Sequence, residues 1–589
     1  MPHLPIMPTG GITVENDGEW IANGPVCLGV GSSLMNKKLK EMSVNKTTNH
    51  CILILKSLML AFLLTTTGCE IPKKNPPNVL LIMIDDLNDC IEPLKGHPQS
   101  LTPNMTKLAQ SGVAFLNAHA NAPMCGPSRS SMMMGVYPHH SLNFFQAPWF
   151  KNATLNNTRT LSEQFKMAGY QTFGTGKILH HLNRENWDHY ENPADYGPMV
   201  WDGKNRLAHP DVPRPFYDIG AVDGSLGPLV NLEGKTTSAG RAMQWIYGYK
   251  KEGIIPMRYI NDDDRDPTPD EMNAAWTADK IKSLAAQKLE RPFFLAVGFL
   301  RPHTPLIAPQ KYFERFPLDK IQVTLKKEDD QQDTFLEVSY EKNQVFTLEM
   351  GAKMFNEISA SYGSEVAGLK RWTQAYLACV AAVDENVGQV MDALDQTQLK
   401  DNTIVVLASD HGFHMGEKDY LYKNSLWEKS TAVPLIFRAP GHTKPNTTIT
   451  KAVSLIDVYP TLVDLCGLSS ETQKNEKGHP LDGFSMRELL ENPTAKTWKG
   501  DRPALTVVYA GPAYEDMPHM QHYAIKTDRY RYILYNNGNE ELYDHRNDPN
   551  EWNNLIFLKD KPHEQLENLR QQMAQMVAPI QLNGFNNIK

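Results

Sequence analysis

A cysteine opens the most chemically pointed segment of the chain, Cys125-Gly126-Pro127-Ser128-Arg129. Should the segment enter a helix, Arg129 lies one turn on, on the same face as Cys125, and the helix N-terminus favours an anion beside the sulfur. A single cysteine is by default a buried structural thiol, so the neighbours decide. Asp85 and Asp86 follow the apolar run 79–84, and Asp410-His411 follow a second run, 403–408. An isolated Asp-Asp pair is more often a turn or a helix cap. Placed at a strand end, with a third carboxylate at another strand end, the same residues are oxygen ligands suited to a hard divalent cation. Calcium or magnesium is favoured over zinc by so oxygen-rich a set, in which His411 is the odd member.

Two more apolar runs end in ionisable residues. Residues 170–174 lead to Lys177 and His180, and residues 293–299 lead to Arg301-Pro302-His303. Such continuous runs describe strands buried on both faces, as in a parallel sheet. Helical patterns lie between them at 161–168, 274–288 and 372–394. Alternation of this kind implies an α/β fold with a mostly parallel sheet, in which ligands bind beyond the carboxyl ends of the strands. All four polar clusters are therefore expected in one crevice. His181, His414 and Trp427 are close to these clusters in sequence and are candidate substrate contacts.

The rest of the chain divides by pattern. Residues 184–269 and 319–360 read as irregular insertions, the kind of long loop that shapes a site. After a helix at 457–468 come short strands at 505–509, 522–525, 530–534 and 541–543, then a helix at 562–576. The expected organisation is an N-terminal extension and signal over 1–69, a linker over 70–77, a catalytic domain over 78–494 and a small α+β subdomain with an antiparallel sheet over 495–589.

With 589 residues, 41% of them hydrophobic and 21% charged, the chain is a globular protein of more than one domain. A net charge of −8 argues against nucleic-acid binding. The seven cysteines show no CxxC or other zinc spacing. Residues 52–64 are apolar apart from Lys56 and precede Thr66-Thr67-Gly68-Cys69. That run is too short for a membrane span and fits a secretory signal. The Gly-Cys pair resembles a bacterial lipobox, with Thr66 where Leu is usual. Two readings follow: a lipid anchor on Cys69, or an ordinary signal cleaved nearby. Either exports the protein, to the periplasm or the cell surface. Residues 1–41 stand upstream of alternative starts at Met35 and Met42.

The whole string Cys125–Gly135 resembles the signature of the sulfatase family, C-x-P-S-R followed by a Leu/Met-x-Gly tail, with Met134 where Thr is usual. The resemblance covers about residues 76–589 and is nearest to iduronate-2-sulfatase-like enzymes. They share the strand ending Asp-Asp-Leu, Gly176-Lys177-Ile178-Leu179-His180, a Phe-Phe-Leu-Ala-Val-Gly strand before Pro-His, and Ser-Asp-His-Gly followed by Lys423, thirteen residues after Asp410. Arg301 stands where those relatives carry Lys, which points to a change in substrate contact.

The resemblance implies an alkaline-phosphatase-like fold and a sulfuric ester hydrolase. It implies that a maturation enzyme oxidises Cys125 to formylglycine, whose hydrate attacks sulfur. Calcium would be held by Asp85, Asp86, Asp410, His411 and the modified Cys125. Arg129 would hold the nucleophile, and Lys177 and Lys423 would neutralise the sulfate oxygens. His303 would protonate the departing alcohol, and His180 would accept a proton from the sulfated hydrate. The implied substrate is a sulfated carbohydrate, either an algal polysaccharide fragment such as ulvan or a glycosaminoglycan uronate 2-O-sulfate. Two other classes stay open at this point. One is a phosphate or phosphonate ester hydrolase of the alkaline phosphatase superfamily. The other is a noncatalytic glycan-binding lipoprotein.

Overall fold

The alternation of strands and helices is realised around one sheet. In the computed structural model, which describes residues 76–248, 253–287, 289–334 and 349–588, the sheet has eight strands. They are β1 (Asn78–Ile84), β2 (Val113–Phe115), β3 (Gln171–Gly176), β4 (His189–Tyr190), β5 (Phe293–Phe299), β6 (Thr403–Ser409), β7 (Leu435–Arg438) and β8 (Thr447–Ile449). Their spatial order is β8-β2-β7-β6-β1-β5-β3-β4. Every pairing is parallel except those of β7 with β6 and β2.

Strand β1 explains why its sequence is apolar without alternation. All seven of its residues are buried. Leu80, Ile82 and Ile84 pack into one core layer, while Val79, Leu81 and Met83 pack into another on the opposite face. The first layer is supplied by helices α3 (Pro269–Ala285) and α4 (Glu365–Asp395). The second takes side chains from α1 (Cys125–Met134), α2 (Leu161–Met167) and α5 (Val458–Cys466). A parallel sheet needs this double cover.

Helix starts are where the structure corrects the sequence reading. α3 begins at Pro269 rather than 274, because Thr268 and Glu271 form a capping box that adds a polar first turn. Apolar periodicity cannot see such a turn. α4 likewise starts at Glu365, on the side-chain cap of Ser364, and runs 31 residues. The insertion over 184–269 is not wholly irregular: Met199–Trp201, Arg206–Leu207 and Gln244–Ile246 make a three-stranded sheet. In the second insertion, Glu349–Ser361 is helical.

The C-terminal strands β9 (Ala504–Val508), β10 (His522–Lys526), β11 (Tyr530–Leu534) and β12 (Glu540–Asp544) form an antiparallel meander. Helix α6 (His563–Met576) covers one face with Leu566, Leu569 and Met573. This part is tied to the main sheet, since residues from Pro76 onward cluster as one unit. Thr506 Oγ1 donates to the Ala120 carbonyl at 2.7 Å and Val507 N donates to that of Asn121 at 2.9 Å. The readings of residues 52–64 and Cys69 fall outside the described residues. Among the described residues, no helix is long and apolar enough to cross a membrane.

Candidate active site

The site is assembled at the carboxyl ends of β1, β3, β5 and β6, together with the N-terminus of α1. Immediately after β1, Asp85 is extended by the sheet and Asp86 turns the chain with φ 59°. That turn is pinned from three sides. Asp86 N donates to Asp410 Oδ1 at 3.2 Å, Leu87 N donates to Ser409 Oγ at 3.0 Å, and Tyr376 of α4 donates its hydroxyl to the Asp86 carbonyl at 2.7 Å.

Close approach of β3 and β5 brings the next pair of clusters together. Gly176 has φ 77°, and a Cβ there would sit 1.9 Å from the Gly298 carbonyl oxygen. No other residue fits, and the chain can then turn so that Lys177 N donates to that same carbonyl at 3.1 Å. Lys177 Nζ consequently reaches Asp85 Oδ2 at 2.5 Å.

Cys125 is the first residue of α1 and is 1% exposed. One turn on, Arg129 is fully buried and spreads its guanidinium over two carboxylates. Nε donates to Asp410 Oδ2 at 2.7 Å, one terminal nitrogen donates to Asp85 Oδ1 at 2.9 Å, and the other bonds the Lys177 and Ile178 carbonyls. Its direct partners are therefore two carboxylates and two carbonyls, and not Cys125. Ser128 Oγ donates to the Asp410 carbonyl, locking α1 to the end of β6.

Around the sulfur, Lys423 Nζ lies 3.3 Å from Cys125 Sγ and 2.8 and 2.9 Å from the two Asp86 oxygens. His411 Nε2 is 3.3 Å from Sγ, 3.4 Å from Asp86 Oδ1 and 3.7 Å from Asp410 Oδ2. His180 also stands beside the thiol. His303 gives Nδ1 to the Thr304 carbonyl at 2.6 Å, which leaves Nε2 facing Asp85 and Asp86 at 4.0 and 3.9 Å.

The electrostatics follow from enclosing so many charges. Burial pushes the Cys125 thiol up, but Lys177, Lys423 and His411 outweigh it and hold the thiol well below its ordinary value. The site thus stabilises an anion at this side chain. Burial and the Cys125 sulfur raise Asp85, and Lys177 and Arg129 overcome both to hold it below the usual carboxylate range. Asp410 is pushed up to about 7 by burial and the nearby Asp85, despite Arg129. His411 moves the other way, up to about 9, because Asp410, Cys125 and Asp86 surround it and overcome burial. The buried imidazole thus stands among acidic groups that favour positive charge beside them. Asp85, Asp86, Cys125 and His303, and likewise Cys125, Asp410 and His411, present ligand atoms within 4.8 Å of one another. Three carboxylates and an imidazole fit a hard divalent cation.

The other candidates separate. His181 joins His180, Gly176 and Tyr196 in lining a cleft of about 590 Å³ that opens from the site. Arg301 is turned away from it: its guanidinium donates to the carbonyls of His303, Ile307 and Gly197, so it braces the His303 loop. His414 Nε2 pairs with Ser425 Oγ at 2.9 Å and its ring packs edge-on against Trp427. Trp427 is itself buried, its Nε1 donating to Glu541 Oε2 at 2.7 Å. With Arg531 donating to the Leu426 carbonyl at 3.0 Å, these residues fasten the loop carrying Lys423 to the C-terminal sheet. Two neighbours escaped the sequence reading. Tyr196 lies 5.0 Å from Lys177 Nζ and packs edge-on against His303 at 5.2 Å, and Tyr376 holds the Asp86 turn. Neither stands beside a motif.

Comparison with known proteins agrees with this geometry. Residues 77–468 match the Sulfatase family model, and residues 416–579 match the model described as N-sulphoglucosamine sulphohydrolase, C-terminal. A sulfatase of Formosa agariphila is 34% identical over 491 residues, covering 81% of this chain and 82% of that protein. Human iduronate 2-sulfatase is 28% identical, covering 78% and 84%. Among solved structures, BT4656 in complex with D-glucosamine-2-N,6-O-disulfate superposes with a TM-score of 0.58 at 21% identity, covering 85% of this chain and 98% of that one. The phosphonate monoester hydrolase of Silicibacter pomeroyi superposes with a TM-score of 0.61 at 18% identity, covering 86% and 96%. The fold alone therefore does not separate the two chemistries. The family model, which spans well over half of the chain and includes the Cys125 segment, does: the chain belongs to the sulfatase family and is a sulfuric ester hydrolase.

Proposed function

We propose that the protein removes sulfate from a sulfated carbohydrate, with Cys125 in its formylglycine form as the nucleophile and calcium as the metal. One observation carries this reading. Cys125 heads a helix in a buried ring of Lys177, Lys423 and His411 that stabilises negative charge on its side chain, with three carboxylates beside it. The hydrated aldehyde would supply the attacking hydroxyl. Calcium, held by Asp85, Asp86, Asp410 and His411, would act as a Lewis acid toward the sulfate oxygens.

The remaining work falls to side chains whose positions are described above. Arg129 fixes Asp85 and Asp410 in one plane of charge, so neither has to reorganise as the reaction proceeds. Lys177 and Lys423 trade part of their attraction to Asp85 and Asp86 for the sulfate oxygens. His303 donates a proton from Nε2 to the leaving alcohol while Nδ1 stays on the Thr304 carbonyl. His180 is held below its ordinary value by burial, stays neutral, and accepts a proton beside Cys125 as sulfate departs.

The carbohydrate assignment is supported by relatives named for such substrates, including an ulvan-active sulfatase of Formosa agariphila, 26% identical over 488 residues. The test is to co-express the protein with a formylglycine-generating enzyme, confirm the aldehyde at residue 125 by mass spectrometry, and screen sulfated oligosaccharides. Aryl phosphonate and phosphate esters are run alongside. Calcium-dependent sulfate release from a saccharide is expected. No release from any saccharide by aldehyde-bearing protein, or faster cleavage of the phosphonate ester, would overturn the reading.

A further inference from the structure

The cleft beside the site is where the organic part of an ester would have to lie. It shares His180 and Tyr196 with the site, and Tyr196 touches both Lys177 and His303. A sulfate group placed between those two residues leaves its alcohol portion facing this space. At about 590 Å³ the cleft falls inside the range of roughly 300–1,000 Å³ common for small-molecule sites. Its wall is mostly apolar and aromatic, with Phe150, Leu182, Met199 and Val222 among the lining residues.

Against that wall stands a single formally charged side chain, Arg206, the one Lys, Arg, Asp or Glu among the described lining residues. It lies in the strand Arg206–Leu207, opposite Trp201 of the insertion sheet. Arg206 is solvent-exposed, as a surface arginine would be, but unlike it the other arginines of the same insertion are engaged. Arg214 pairs with Asp218, Arg241 with Asp202, Arg258 with Asp264 and Arg265 with Glu271, while Arg184 bonds the Tyr190 and Glu191 carbonyls. Among the arginines of this insertion Arg206 alone has no side-chain hydrogen bond or ion pair, and it is the one on the cleft. Asp195, whose chain neighbours Ala194 and Tyr196 line the cleft, turns a carboxylate oxygen onto Gly197 N and Gly248 N.

We propose that this cleft is a subsite for an anionic sugar and that Arg206 binds its second negative group, a carboxylate or a further sulfate. This rests on the sulfate-ester reading of the neighbouring site. A guanidinium presents paired N–H donors that match either oxyanion. A cationic alcohol such as choline has no carboxylate to meet it in the described wall and meets Arg206 instead. Loss of one charge-assisted interaction of this kind corresponds to about a tenfold to hundredfold change.

The experiment compares aldehyde-bearing wild type, Arg206→Ala, Arg206→Lys and, as a control in the same insertion, Arg241→Ala. Substrates are a mono-sulfated uronate disaccharide, its carboxyl-reduced counterpart, the disulfated form of the reduced sugar, and choline sulfate. Wild type is expected to favour an anionic sugar over the reduced one at least tenfold, mainly through KM. Arg206→Ala should erase the ratio, Arg206→Lys should keep part of it, and Arg241→Ala should leave it alone. The carboxylate and disulfate arms say which oxyanion is read. Calorimetry of the desulfated sugars with Cys125→Ala gives a second readout that does not depend on turnover. Arg206-dependent binding of the acidic sugar without hydrolysis of any sulfate ester would sink the sulfatase chemistry and leave the anion subsite standing. Hydrolysis with the same ratio in wild type and Arg206→Ala, or a preference for choline sulfate, would overturn the inference.

Discussion

Replacing Tyr376 by Phe asks whether the Asp86 turn, proposed above to hold calcium, is held from behind by helix α4. The Tyr376 hydroxyl donates to the Asp86 carbonyl at 2.7 Å and accepts from Asn88 N at 3.0 Å, and the ring is fully buried. Phe keeps the ring and its packing but leaves one backbone C=O and one backbone N–H without partners. A buried polar group orphaned in this way costs about 1–3 kcal/mol, so the pair predicts a loss of about 2–6 kcal/mol. That is a large share of the roughly 5–15 kcal/mol that holds an ordinary domain together. Because Asp86 occupies a left-handed backbone conformation, the turn has strain to release once the tether goes. Its carboxylate then leaves the position shared with Asp85 and His411. Calcium affinity should fall at least tenfold, which corresponds to about 1.4 kcal/mol. Urea unfolding without metal measures the first quantity and calcium titration the second. Burial holds the phenol well above its ordinary pKa, so both losses should be the same at pH 6 and pH 8. A stability change under about 0.5 kcal/mol together with unchanged calcium affinity would refute the reasoning.

Cys125→Ala should abolish turnover in any expression host, and Cys125→Ser should do so in a host that matures only Cys; residual sulfate release by the Ala protein would overturn the mechanism. Lys423→Met should lower kcat by about a hundredfold to a thousandfold, read from initial rates at saturating substrate. Chelation by EGTA should remove activity, and calcium at a hundred times its Kd should restore it and add about 2.7 kcal/mol of unfolding free energy. Acid should weaken the fold through His139, held down to about 3 by burial with neither ring nitrogen bonded. Its folded pKa lies below the unfolded value, so stability is full above pH 6.5 and lost as pH falls; His139→Phe should recover about 2 kcal/mol of the loss between pH 7.5 and 5 in urea titrations. Gly135→Ala should cost about 1–3 kcal/mol, since φ is 69° and a Cβ would lie 2.3 Å from Leu481 Cδ2.

Much of the central sheet could be read from the sequence because burial on both faces leaves one signature, an unbroken apolar run. That signature located β1, β5 and β6, and with them Asp85, Asp86, His303, Asp410 and His411. Residues displaced by side-chain bonding were harder to read. Arg301 looked like a substrate contact because it is a cation in the right segment, yet four carbonyls claim its guanidinium. Trp427 and His414 sit near Lys423 in sequence, but the C-terminal sheet supplies Glu541 and Arg531 to that loop, and nothing local announces the partnership. Tyr196 and Tyr376 reach the site from an insertion and from the middle of a 31-residue helix. Their roles exist only after folding. Short strands in the insertion were missed because two or three residues carry no usable period.

The burial of Cys125 also sets a clock. A side chain 1% exposed, on a helix latched to Asp410 by Ser128, is beyond reach of another enzyme once β6 has paired with β1. The proposed oxidation therefore belongs to the interval in which residue 125 has been made and residues 403–410 have not yet docked. At about 5–20 residues per second of synthesis, that interval is on the order of tens of seconds. Strand order thereby does more than shape a crevice: by drawing one wall from the N-terminal quarter of the chain and the facing wall from far downstream, it would leave the Cys125 segment open long enough for the proposed modification. Variants that circularly permute β6 ahead of β1 should fold around an unconverted thiol.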